Sequence, residues 1–265
     1  MRIAIGLAYD GRPYAGWQSQ PAGNTVQDRL EAALAAIAGG PVRATAAGRT
    51  DAGVHATGQV VHFDAEAARP KGAWVRGTNA HLPDAVAVQW ACEVDDEFHA
   101  RYSAWSRTYV YILYNQPIRP SVLAGKVGWF HLPLDVERMD RAAQAIRGEH
   151  DFSAFRSAEC QAKTPVRVLE RAAIERRGDY IVFVFTANAF LHHMVRNLVG
   201  ALVQIGKGAA PPAWLAEVLG RRDRAYGAPT FGPDGLYLTA VAYPERWNLP
   251  RFASMLPVLA GTDLR

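Results

Sequence analysis

Apolar and polar positions along the chain follow two different periods. Ile3, Ile5, Leu7 and Tyr9 recur at every second residue, as in a half-buried strand. Thr25 then stands three residues before Asp28 as a helix N-terminus, and Val26, Leu30, Leu34 and Ile37 follow at helical spacing until Gly39 and Gly40 stop the run. Strands are expected over 42–46 and 58–63, a helix over 72–80, and a strand over 86–92 with Val86, Val88 and Trp90 on one face. The resulting order, β-α-β-β-α-β, is ferredoxin-like.

The remaining chain repeats that order with longer connections. A strand is expected over 105–114. Asp135 caps a helix carrying Val136, Met139 and Ile146 that stops at Gly148, and strands over 166–174 and 180–185 flank a short turn. Leu191, Met194, Val195, Leu198, Val199, Leu202 and Val203 form the clearest helical stripe, leaving His192, His193, Arg196, Asn197 and Gln204 off it. A short helix over 213–219 and a strand over 236–242 complete the pattern. The expectation is therefore an α/β (α+β) protein of two ferredoxin-like units with mainly antiparallel sheets forming a central cleft. Residues 1–104 make the first unit and 105–265 the second.

Composition narrows the class. With 49% hydrophobic and 20% charged residues among 265, the chain has the makeup of a globular protein. The longest apolar stretch, residues 32–38, is far short of the roughly 18–20 residues a membrane span needs, and no signal-peptide core precedes Asp10. No membrane association and a cytoplasmic location are expected. Cys92 and Cys160 lack metal-ligand or disulfide-framework spacing, so free thiols and no metal are expected. His192 and His193 are adjacent, and on a helix their side chains would point about 100° apart, which argues against a metal pair. Residues 1–104 hold nine Lys and Arg against eleven Asp and Glu, and residues 105–265 hold twenty against fourteen. The basic surplus of the second part, which includes Arg221 and Arg222, suits an anionic partner.

The densest chemistry lies in residues 47–58, between two expected strands. Gly48, Gly53 and Gly58 mark a shaped backbone, and Arg49, Asp51 and His55 place a cation, a carboxylate and an imidazole within seven residues. By composition the same residues equally make a surface turn in which Asp51 caps backbone N–H groups and pairs with Arg49.

The string GRTDAGVHA resembles the signature of the tRNA pseudouridine synthase A family. The resemblance extends to YDGRPYAGWQSQP with NTVQDRLEAAL, to FHARYSAWSRTYVYILYN, to DFSAFRSAECQAKTPVR, and to FLHHMVRNLVGALVQIGKG with APTFGPDGLYL, in order along nearly the whole chain. It implies an isomerase that converts uridine to pseudouridine at positions 38, 39 and 40 of the tRNA anticodon arm, works as a homodimer and uses no cofactor. It places the nucleophile at Asp51 and leaves three routes open: attack on C1′, attack on C6, or removal of a ribose proton to give a glycal. A buried carboxylate tends towards its neutral form unless a cation holds it ionised, a role the resemblance gives to Arg196. It also implies that Arg49 helps extrude the target nucleotide and that the Tyr109 ring stacks on the flipped uracil. Leu236 and Tyr237 would add apolar wall.

Two other classes compete. An RRM-like RNA-binding protein shares the β-α-β-β-α-β order, but no RNP1-like pattern is present. A small-molecule hydrolase using Asp51 and His55 would lack a GxSxG elbow or a second matched carboxylate.

Overall fold

The expected alternation at the amino end forms β1 (Arg2–Tyr9), yet the strand is buried on both faces. The even positions Ala4, Gly6 and Ala8 are small and apolar, so they too can be covered, and β1 becomes a central strand. Ala4 belongs to a core cluster with Val60, Trp90 and Phe98. β1 is antiparallel to both β3 (His55–Asp64) and β4 (Val86–Val94). The expected strand over 42–46 shrinks to β2 (Thr45–Ala46), which pairs antiparallel with β3 through Thr45 and His62. The order β4-β1-β3-β2 is that of a ferredoxin-like sheet.

The computed structural model describes residues 1–251 and Leu256. Among the described residues its two compact units are 1–105 with 237–251, and Ser106–Leu236. In the first, α1 (Val26–Ala38) begins with the capping box anticipated from Thr25 and Asp28. Thr25 N donates to Asp28 Oδ2 (3.1 Å), and Asp28 N donates to Thr25 Oγ1 (3.2 Å). The helix expected over 72–80 is a π-helical turn, Ala73–Gly77, that runs into α2 (Thr78–His81).

In the second unit the order is β5-β9-β8-β7, antiparallel throughout, built from β5 (Ser106–Tyr114), β7 (Gly148–Asp151), β8 (Val166–Arg177) and β9 (Tyr180–Ala187). β6 (Gly128–Trp129) runs parallel to β5. Asp135 caps α3 (Val136–Gln144) by accepting from Arg138 N at 2.9 Å. The apolar stripe forms α4 (Met194–Gly206), followed by α5 (Trp214–Arg221). β10 (Leu236–Ala242) runs parallel to β3, with Tyr237 opposite His55. The architecture is α+β, as expected. Among the described residues no helix is long and apolar enough to cross a membrane.

Candidate active site

The loop that carries Asp51 is shorter than its sequence suggested, because β3 already begins at His55. Residues 51–54 make a tight turn closed by Val54 N donating to Asp51 O at 3.1 Å. Gly53 takes φ +79° at its third position, a conformation that glycine adopts without steric cost. Gly58 serves another purpose: a Cβ there would overlap the Thr239 carbonyl of β10. At the turn, Thr50 is buried, Asp51 half-buried and Arg49 exposed.

His55 is 1% exposed, and its ring stacks on Tyr237 with centroids 4.6 Å apart. Its Nδ1 lies 3.1 Å from both Gly11 N and Asp10 Oδ1. Asp10 also pairs with Arg12 at 2.6 Å. An imidazole locked in this way binds the loop's exit strand to the Asp10 turn. That is a structural task, and the hydrolase reading had needed His55 as an accessible base.

The other two sequence candidates lie in the second unit. Tyr109 is 8% exposed, with Phe190 edge-on at 5.0 Å. Tyr111, on the same face of β5, is core: its hydroxyl donates to Gly232 O at 3.1 Å, and burial pushes its phenol well above the usual tyrosine range. Arg196, in the first turn of α4, donates from Nε to Phe231 O (2.8 Å), and Phe231 N returns a bond to Arg196 O (3.3 Å). Leu236 and Tyr237 are buried. Arg221 stacks over Tyr226 at 3.8 Å, and Arg222 lies 3.6 Å from Asp151.

Two readings need correction here. The helical stripe was drawn from Leu191, but α4 begins at Met194, and His193 precedes it with φ +63°. His192 and His193 therefore lie outside the helix, and their rings sit 4.0 Å apart rather than diverging. Asn197, left off the apolar stripe, is 2% exposed. Its Nδ2 donates to Phe155 O (2.8 Å), while Oδ1 accepts from Thr230 Oγ1 (2.7 Å) and Arg224 (3.1 Å). Nothing local in the sequence separates Asn197 from Arg196 and Gln204, the other polar residues of α4.

Residues 7–103 and 142–244 match the family described as tRNA pseudouridine synthase. The chain belongs to that family. Its members are isomerases, and this chain is an enzyme of that class. The chain is 60% identical over 257 residues to the tRNA pseudouridine synthase A of Thiobacillus denitrificans, covering 97% of this chain and 99% of that protein. It is 58% identical to that of Nitrosomonas eutropha, with 97% and 93% covered, and 60% identical to that of Aromatoleum aromaticum, with 94% and 95% covered. A chain in the crystal structure of a Cbf5-Nop10-Gar1 complex aligns at a TM-score of 0.33 and 12% identity, over 76% of this chain and 45% of that one. That likeness is too slight to bear on the family's chemistry here.

Proposed function

We propose that this chain isomerises uridine to pseudouridine at positions 38, 39 and 40 in the anticodon stem and loop of tRNA, with the Asp51 carboxylate as nucleophile. The reaction breaks the C1′–N1 glycosidic bond, turns the uracil and joins C1′ to C5. N1 takes up a proton and C5 releases one, so composition is unchanged and no electron acceptor or donor enters the balance. A carboxylate that forms and releases a bond is sufficient for such a sequence.

The observation that carries the reading is the near-full-length likeness to synthases of this name, which includes the loop that presents a half-buried Asp51 at a tight turn. In the proposed division of labour, the exposed Arg49 engages the RNA strand and helps extrude the target nucleotide. The Tyr109 ring stacks on the uracil, and Arg196 supplies the cation that keeps the reacting carboxylate ionised.

The working species is proposed to be a cytoplasmic homodimer. In its support, Ile118, Val122, Trp129 and Leu132 are exposed within residues 118–132. Trp129 also lines a cavity of about 390 Å³, together with Arg119, Pro120 and Val127. Apolar surface of that kind is characteristic of docking faces.

Whole tRNA carrying tritium at C5 of uridine tests the reaction, because ring re-attachment at C5 frees that hydrogen. Release stoichiometric with pseudouridine at positions 38, 39 and 40 is expected. Binding without release contradicts the proposal.

A further inference from the structure

Beneath the Asp51 turn lies a set of polar side chains for which the reaction provides no direct role. Gln59, on β3, is 0% exposed, yet all of its amide is used. Its Nε2 donates to Gly48 O (2.7 Å) and to the Tyr9 hydroxyl (3.4 Å), and its Oε1 accepts from Gly48 N (3.4 Å). The Tyr9 hydroxyl lies 2.8 Å from Thr50 Oγ1, in a buried contact. The Tyr9 oxygen accepts from the Gln59 amide, and in the contact with Thr50 either hydroxyl can be the donor. Thr50 is also held through its backbone, whose carbonyl accepts from Trp17 N at 2.9 Å.

We infer that Gln59, Tyr9 and the Thr50 hydroxyl form a positioning relay that fixes the backbone on the N-terminal side of Asp51 and so sets where its carboxylate meets the substrate. The inference rests on the proposed role of Asp51. Three observations support a relay over incidental packing. Its members come from two strands and the loop itself. The two bonds to Gly48 clamp a residue three positions before Asp51, while Tyr9 grips the residue immediately before it. Burial pushes the Tyr9 phenol up to about 12, so it remains protonated over the whole working pH range. A carboxylate displaced by a fraction of an ångström loses rate without losing substrate affinity, which separates this role from general stability.

The test is a double-mutant cycle on tRNA pseudouridylation with Tyr9→Phe, Thr50→Val and the two combined, plus Thr50→Ser as the variant that keeps the hydroxyl. Each single variant is expected to lower kcat about ten- to a hundredfold with KM and tRNA affinity unchanged. The double variant should be no worse than the poorer single one, because both remove the same bond. Thr50→Ser should retain near-parental kcat. Unchanged kcat in both single variants, losses that multiply in the double variant, or a Thr50→Ser as slow as Thr50→Val would each overturn the relay. Asp51→Asn, assayed alongside, separates the two ideas. Turnover by that variant removes Asp51 from the chemistry, whereas an inert Asp51→Asn beside fully active Tyr9→Phe and Thr50→Val removes only the relay.

Discussion

Acid should loosen the first unit through His62. This residue on β3 is 6% exposed, its Nδ1 accepts from Ala100 N at 3.1 Å, and its ring meets Phe98 edge-on and His99 at 4.8 Å. Burial, together with the nearby His99 and Arg2 charges, brings its pKa down from 6.5 to about 4. Above pH 6.5 the ring is neutral in both the folded and unfolded chain, so it adds no pH dependence. As pH falls from about 6.5 towards 4, the unfolded chain takes up a proton that the folded chain refuses, and stability is lost across that window. Below about 4 both states are protonated and the loss levels off. At about 1.4 kcal/mol per pH unit, the shift corresponds to roughly 2–3 kcal/mol by pH 4.5. Urea unfolding at pH 7.5, 6.0 and 4.5 on the parent and on His62→Gln isolates this contribution, because the acidic groups that also titrate in acid are common to both. The gap between the two proteins should change by about 2 kcal/mol in favour of the variant as pH drops. Parallel curves, with the gap constant within about 0.5 kcal/mol, would refute the reasoning.

Other expectations follow from the second unit and the charge distribution. Asn197→Leu should destabilise the fold by about 2–3 kcal/mol in urea unfolding, since it leaves Phe155 O without its donor and the Thr230 hydroxyl without its acceptor, and removes one of the two acceptors of Arg224 Nη2. Arg196→Ala should abolish pseudouridine formation while tRNA still binds, and Tyr109→Phe should keep the stacking ring and retain more activity than Tyr109→Ala. Full activity in Tyr109→Ala would remove it from the site. Affinity for tRNA should fall steeply with salt, as counterion release demands, and Arg222→Ala should reduce the slope by about one. A salt-independent affinity would contradict phosphate-led binding. Arg221→Ala would lose its stacking on Tyr226 as well as its charge, so it is the poorer probe of phosphate contacts.

The elements easiest to read from sequence were those whose signal is local. Thr25 and Asp28 announced the start of α1, Asp135 that of α3, and the Leu198–Leu202 spacing marked the body of α4. What the sequence hid depends on distant partners. Burial of β1 on both faces follows from small residues lying under Trp90 and Phe98, which alternation alone reads as solvent-facing. The early start of β3 at His55 depends on the Asp10 turn and the Tyr237 ring, 45 and 182 residues away in the chain. Asn197 was left off the stripe because helical periodicity reports whether a position is apolar, and a buried amide is polar yet fully partnered. At the candidate site, sequence placed Arg49 and Asp51 on one loop, and the structure agrees. The supports beneath them, Gln59 and Tyr9, carry no motif of their own and emerge only from hydrogen bonds across β1 and β3.

The most direct test of the account is the Asp51→Asn variant on whole tRNA with tritium at C5 of uridine, followed at single turnover with the variant's mass verified to exclude deamidation. The substitution keeps the side chain's size and removes only the reacting carboxylate. The account predicts a folded protein that binds tRNA with parental affinity and releases no tritium above background. Tritium release by the intact asparagine variant, at any rate above the uncatalysed one, would contradict the assignment of Asp51 as nucleophile.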